Sequence, residues 1–173
     1  MDKYLNSSGF SQQAGDWIRT LDLVRHPEGG FFVESYRSGG VIPGGVLSAH
    51  AGPRPFMSSI YFMLPTGDIS RFHRLKSDEI WYHHAGGSIS IHQIAPDGKH
   101  SVFVLGQDLA TGQKLQIIIK AGCWFGAIAD GGKESLTGCA VAPGFDYADF
   151  ELGKRAELLA QYPQHEEIIS KLT

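Results

Sequence analysis

The stretch GDISRFHRLKSDEIWYHHAG, residues 67–86, decides how the chain is read. It opens on Gly67, carries His73 near the end of a strand-like run over 69–75, turns through Lys76-Ser77-Asp78, and resumes in a second run over 79–84 before Gly86. Two short alternating runs joined by turn-forming residues read as a β-hairpin. Successive side chains of a strand point to opposite faces, which groups Arg71, His73 and Leu75 on one face of the first strand and Glu79, Trp81 and His83 on one face of the second. Where those faces coincide, an imidazole and a carboxylate project into one interior.

Outside this stretch the composition narrows the class. The chain has 173 residues, 42% of them hydrophobic, which suits one domain over 1–173 with a real core. Fifteen basic residues against eighteen acidic ones give a net charge of −3, which argues against nucleic acid and acidic membrane surfaces as partners. No apolar run reaches membrane-spanning length, and MDKYLNSSGF lacks the apolar block of a signal peptide, so a soluble, cytoplasmic protein is expected. Cys123 and Cys139, both in apolar runs, read as reduced buried residues, with a bridge between them left open.

The 22 glycines, many in Gly-Gly pairs between short apolar runs, mark an all-β barrel or sandwich. Ahead of it, Ala14, Trp17, Ile18 and Leu21 at helical spacing behind Ser11 predict a helix over 11–23, which must end before His26-Pro27. In HPEGGFFVESYRS, Phe32, Glu34 and Tyr36 share one strand face; Glu34 is either a solvated edge residue or a polar group aimed into a pocket. Residues 38–55, rich in Gly, Ala and Pro, read as a long irregular loop, either a lid or disordered. Strands are expected at 58–64, 88–94, 102–105, 115–119, 122–128 and 136–142, the last two separated by Asp130-Gly131-Gly132, giving about nine strands in a barrel over about 25–150. Residues 153–173 form a helical tail interrupted at Pro163.

The frame of the opening stretch resembles the first motif of the cupin superfamily: glycine, five residues, His-x-His, three or four residues, Glu, six residues, glycine. Gly67, His73, Glu79 and Gly86 match it, and Leu75 stands where the second histidine would be. The second motif, Pro-x-Gly-x-x-His, has its counterpart in Lys120-Ala121-Gly122-Cys123-Trp124-Phe125, which keeps the glycine and ends on Phe125. In metal-binding cupins those three histidines and the glutamate hold the ion, so the resemblance implies a site with two of its four ligands replaced by apolar side chains. A transition metal takes three or four N, O or S ligands. His83 shares the face of Glu79 but lies roughly 13 Å along the strand at about 3.3 Å per residue, too far to complete the set. Cys123 approaches only if the register shifts. The expected site is metal-free and has no cofactor.

HPEGGFF, ESYRS, SSIYF, FHRLKSDEIW, GCWFGA and PGFDYADFELG with the tail ELLAQYPQHEEII resemble the DUF985, or cupin 5, family over about residues 15–170. The resemblance implies a double-stranded β-helix jelly roll with a short N-terminal helix and a C-terminal helical tail, commonly a homodimer, described as sugar-epimerase-like. Epimerisation needs a base next to a carbonyl and an acid on the opposite face. His73 is the expected base, Glu79 the carboxylate that orients it, and Tyr147, Tyr61 or Tyr36 the candidate acid. Glu34, Tyr36, Tyr61, Leu75, Trp81 and Phe125 are expected to contact the ligand, Trp81 and Phe125 as an aromatic wall. The plainer alternatives stand beside these: His73 as a satisfied core histidine, Trp81 and Phe125 as core, and Asp146, Tyr147 and Asp149 as a capping or interface segment. His92, His100 and His165 read as surface and His50 as loop.

Three functions follow. One is a metal-independent enzyme acting on a sugar nucleotide or small carbonyl compound. Another is a non-enzymatic module binding a small cyclic metabolite, and the last is a metal-dependent dioxygenase or isomerase. Fold alone does not choose among them.

Overall fold

The computed structural model describes residues 10–129 and 132–173, so the expected turn at Asp130-Gly131 lies outside the described residues. In chain order the elements are α1 (Gln12–Thr20), β1 (Val24–Arg25), β2 (Phe31–Arg37), β3 (Val41–Ile42), β4 (Arg54–Pro55), β5 (Ser58–Leu64), β6 (Ile69–Leu75), β7 (Asp78–Gly86), β8 (Ile89–Ile94), β9 (His100–Leu105), β10 (Gln116–Ile119), β11 (Trp124–Ala129), β12 (Ser135–Ala142), β13 (Phe150–Leu152), α2 (Arg155–Gln161) and α3 (Glu166–Lys171). The strands form a six-stranded sheet in the order β1-β2-β5-β12-β7-β10 and a five-stranded sheet in the order β13-β6-β11-β8-β9, with β3 and β4 as a separate two-stranded ladder. That ladder corrects the expectation of a wholly irregular 38–55 segment.

The expected hairpin is not there. β6 pairs with β11 and β13, whereas β7 pairs with β10 and β12 in the other sheet. Both edges of each strand are taken by other partners, and Lys76-Ser77 acts as a corner carrying the chain between sheets. Ser77 is buried there, its hydroxyl 3.1 Å from His50 Nε2, so His50 is in a loop as expected and is buried against this corner. His73 and Glu79 therefore come from facing sheets.

A main core lies between the sheets, with Phe62, Leu64, Trp81, Ile91, Ile119 and Phe125 among its members. The outer faces are covered as well. Ala14 and Ile18 of α1 pack on Phe31, Met63 and Leu136 of the six-stranded sheet, and Ser11 caps the helix by accepting from Ala14 N at 3.1 Å. Leu158, Tyr162, Ile169 and Leu172 of the tail pack on Phe72, Trp124 and Ile128 of the five-stranded sheet. Strands covered on both faces lose polar alternation, which is why β11 is buried from end to end. His92, His100 and His165 form a stack joining β8, β9 and the tail, with ring centroids 5.4 and 5.3 Å apart, instead of standing separately on the surface. Cys123 and Cys139 are both free and buried. Among the described residues no helix is long and apolar enough to cross a membrane.

Two bulges aim the side chains of the interior. One extra residue in β2 at Ser35 ends the alternation that would put Tyr36 with Phe32 and Glu34, and turns Arg37 inward in its place. Another in β6, where Phe125 pairs with His73 but Ala127 with Ser70, lets both Ser70 and His73 reach the interior and removes Arg71 from the face they share.

Candidate functional site

A cavity of about 340 Å³ opens between the sheets, within the range of small-molecule sites. Its inner wall on the five-stranded side is built around His73 and Glu28. His73 Nδ1 lies 2.8 Å from the carbonyl oxygen of Arg71, which only accepts, so Nδ1 carries a hydrogen. Nε2 faces Glu28 Oε2 at 3.1 Å, and that contact needs a proton on one of the two. Burial drives the imidazole down to about 3. Burial, and after it the charge of Glu79, raises the Glu28 carboxyl well above the usual range. The proton therefore belongs to Glu28, a neutral acid donating to a neutral histidine. The other oxygen, Oε1, accepts from Ser70 Oγ at 2.8 Å, which completes the acid's hydrogen bonding. His26 closes the group: its Nδ1 accepts from the Glu28 backbone N–H at 3.3 Å, and burial pushes it down to about 4.

The loop that delivers Glu28 is held by its backbone. The Glu28 carbonyl accepts from Arg71 N at 2.8 Å, at the bulge of β6. Gly29, at φ +118°, passes so close that a Cβ would sit 2.0 Å from the carbonyl oxygen of Ile69. Only glycine fits both the conformation and the approach.

Glu79 projects from the six-stranded side. It is 6% exposed, and its Oε2 has no hydrogen-bond partner among the described residues. Burial pushes the carboxyl up to about 7, a rise tempered by the nearby Trp81 indole N–H and Cys139 thiol. The indole Nε1 is itself buried and unpartnered among the described residues. Cys139 lines the cavity as a thiol, held far above its ordinary value by burial and by the charges of Glu79 and Glu28.

At the mouth, Arg37 pairs with Glu34 through Nε and Nη2, the latter at 2.6 Å from Oε2, and donates from Nη1 to the Phe145 carbonyl at 3.0 Å. Tyr147, 59% exposed, lies edge-on to Phe145 and Phe150 and closes the rim.

Of the residues singled out from sequence, His73, Glu79, Glu34, Leu75, Trp81 and Tyr147 line this cavity. Tyr36 does not: beyond the bulge it is 53% exposed. Tyr61 lies on the outer face of β5, packed with the α1 cluster and against His84, because Ile60 and Phe62 hold the inward phase. Phe125 is beneath the cavity, its ring 4.0 Å from the ring of His73, as core. The carboxyl group that orients His73 is Glu28, not Glu79. Glu28, His26, Arg37 and Cys139 are among the lining residues that sequence reasoning missed.

The donor set does not fit a cupin metal. Both nitrogens of His73 are engaged by protein groups, Leu75 and Phe125 occupy the other expected ligand positions, and no cluster of three or more His, Cys, Asp or Glu side chains among the described residues is arranged to hold an ion.

Comparison with known proteins bears on the family and the fold. A family model described as cupin superfamily (DUF985) matches residues 15–153. The chain is 28% identical over 153 residues to the Saccharomyces cerevisiae protein YML079W, covering 82% of this chain and 74% of that one. Among solved structures, protein SO0799 from Shewanella oneidensis is 45% identical with a TM-score of 0.84, over 94% of this chain and 98% of its own. A hypothetical protein from Leishmania major is 35% identical with a TM-score of 0.85, over 92% and 98%. Oxalate decarboxylase from Bacillus subtilis is 16% identical with a TM-score of 0.53, over 86% of this chain and 37% of its own, a likeness of fold alone. The fold is that of a cupin β-sandwich.

Proposed function

We propose, from the premise that the chain belongs to the DUF985 family of the cupin superfamily, that it binds a small cyclic carbonyl compound between its sheets and moves a proton on it, as an isomerase or epimerase. The observation that carries this reading is the pair of carboxyl groups in one cavity, held at different proton affinities by different surroundings: Glu28 well above the ordinary range and Glu79 at about 7. Groups separated in this way serve as acid and base. Glu79, titrating near neutrality with an unpartnered oxygen, is the base that takes a hydrogen from the carbon beside the carbonyl. The Glu28–His73 pair holds one proton on the facing sheet and supplies it to the other side of the same carbon. His73 thus acts with Glu28 as the acid, which reverses the role expected of it, and Tyr147 shields the mouth.

The test is solvent-deuterium incorporation into cyclic hydroxyketones and related carbon acids, followed by NMR. Incorporation is expected with the native chain and a loss of at least about 100-fold is expected in Glu79→Gln, the usual scale of general acid–base catalysis. Undiminished incorporation in a folded Glu79→Gln protein removes the base role. A second reading, binding without turnover, is favoured by the aromatic lining of Phe32, Phe62, Trp81, Phe145 and Phe150. It is supported where such a ring raises the melting temperature and no deuterium enters.

A further inference from the structure

The ionisable lining of the cavity is one-sided. Four carboxyl groups, Glu28, Glu34, Glu79 and Asp146, share it with a single guanidinium, Arg37. That guanidinium is committed: Nε reaches Glu34 Oε1 and Oε2 at 3.0 and 3.1 Å, Nη2 reaches Oε2 at 2.6 Å, and Nη1 holds the Phe145 carbonyl at 3.0 Å. Neither imidazole supplies the missing positive charge, since burial keeps His26 and His73 neutral near pH 7. With Glu28 neutral and Glu34 paired with Arg37, Glu79 and Asp146 are the carboxyls left unmatched, and an anionic ligand meets them with no free cation among the described lining residues, a mismatch that selects against it.

Two buried polar atoms in this wall, the acceptor Glu79 Oε2 and the donor Trp81 Nε1, make no hydrogen bond of ordinary geometry among the described residues, although the indole N–H lies close enough to the Glu79 carboxyl to temper its rise. They belong to alternate residues of β7, so their side chains leave the strand on the same face, and both residues line the cavity. A buried donor and a buried acceptor that satisfy one another only through a weak contact cost the fold stability, and a ligand that answers both recovers it. We propose that the ligand is an uncharged ring bearing an N–H or O–H donor on the carbon next to a carbonyl, the donor given to one oxygen of the Glu79 carboxyl, the carbonyl oxygen taken by Trp81 Nε1–H, and the other carboxyl oxygen left for the hydrogen on that carbon. Cyclic α-amido carbonyls such as hydantoins and cyclic α-hydroxyketones share that edge. In both, the carbon between donor and carbonyl carries the acidic hydrogen, which brings it beside Glu79. Phosphorylated and carboxylated rings, and with them sugar nucleotides, fall outside the class. The inference rests on the reading of Glu79 as the group that works on the ligand and narrows what it works on.

Calorimetric titration at pH 7.5 with methylhydantoin and with hydroxycyclohexanone, each against its carboxylated derivative, tests the class. The uncharged member of at least one pair is expected to bind at least about tenfold more tightly than its carboxylated counterpart, and which pair responds tells amide from ketone. Trp81→Phe, which keeps the ring and removes the donor, is expected to weaken the uncharged probe by about tenfold, one neutral hydrogen bond's worth. Glu34→Gln, at the exposed rim, is expected to release Arg37 and improve the carboxylated probe instead. Equal or tighter binding of the carboxylated member, no binding in either pair, or an indifferent Trp81→Phe protein overturns the proposal; if Trp81→Phe does not fold, an indifferent Glu34→Gln protein does so. Binding of the uncharged probe without deuterium exchange keeps the ligand class and removes the acid–base reading, whereas exchange on a phosphorylated ring does the reverse.

Discussion

Asp149 and Glu28 are both carboxyl groups buried beside a basic side chain, Arg54 for the first and His73 for the second. Arg54 donates from Nε at 2.6 Å to Oδ2 and from Nη2 at 2.7 Å to Oδ1, and this bidentate contact, with His50 at 3.6 Å and Lys76 at 4.0 Å, holds Asp149 below the ordinary carboxylate range. Glu28 meets an imidazole at 3.1 Å and moves the other way. The difference lies in the base. A guanidinium cannot surrender its proton, so burial leaves an ion pair; an imidazole can, and burial then favours two neutral groups around a shared proton. The ion pair ties β4 to the turn of 3-10 helix at Tyr147–Asp149 that leads from the cavity mouth. The neutral pair faces the cavity, where a movable proton is of use.

The most disruptive way to break this contrast is to remove the fixed charge. Arg54→Ala leaves Asp149 buried without its two donors, and a loss of about 3 kcal/mol in urea unfolding is expected. The figure sits at the low end for buried pairs because Lys76, 45% exposed beside it, shows that water is near. A loss under about 1 kcal/mol would mean that the pair does not anchor the mouth.

The pH dependence of stability separates the two regions by sign. His26 and His73 titrate at about 4 and about 3 in the fold against an ordinary 6.5, so the unfolded chain takes up their protons first and stability is lost as pH falls below 6.5. Glu79 titrates at about 7 against an ordinary 4.5, and Glu28 is raised further, so their contribution is present below 4.5 and is lost as pH rises through the folded values. Between 4.5 and 6.5 two proton uptakes oppose two releases, and the cluster adds almost no slope. Below that window the imidazoles act unopposed, joined by Asp149, whose lowered carboxyl loses its contribution below 3.8. Above it Glu28 acts alone once Glu79 has ionised. Each unmatched proton is worth about 1.4 kcal/mol per pH unit. His84 and His100, also lowered by burial, add a gentle rise with pH below 6.5, so stability from urea titrations is expected to climb only slightly from about pH 4.5 to 6.5 and to fall on both sides. A steady rise from pH 5 to 8 contradicts the neutral pair.

How far the site was legible follows from which contacts are local. Positions 73 and 79 can be read because a spaced frame survives in sequence, and so can the helix behind Ser11. Their assignment to different sheets cannot, since Lys76-Ser77 is as suitable for a tight turn as for a corner, and only the distant partners β11, β13, β10 and β12 decide. Tyr61 was misplaced because SSIYFML is apolar on both faces when both faces are covered, which erases the phase. Tyr36 was misplaced by a one-residue bulge that no local pattern announces. Glu28 left a usable signal: an acid between His-Pro and Gly-Gly, where two glycines at positive φ imply a loop pressed against another backbone.

The finest test replaces the shared proton with one that cannot leave. Glu28→Gln keeps a carbonyl oxygen for Ser70 Oγ and places an amide N–H opposite His73 Nε2, copying the neutral acid in shape and in hydrogen bonding. Near pH 6 the substitution is expected to change stability by less than about 1 kcal/mol, the scale of one rearranged neutral hydrogen bond. Above the plateau the native chain declines as Glu28 is forced to ionise, whereas the amide has nothing to lose, so the two unfolding curves should diverge with the variant the more stable at pH 8.5. Were Glu28 instead an anion paired with a charged His73, the amide would forfeit an ion pair and the variant would be the weaker protein at every pH above the carboxylate range. The same substitution at Asp149, Asp149→Asn, gives the matched control: facing a guanidinium that never discharges, it should lose stability across neutral pH and never cross the native curve.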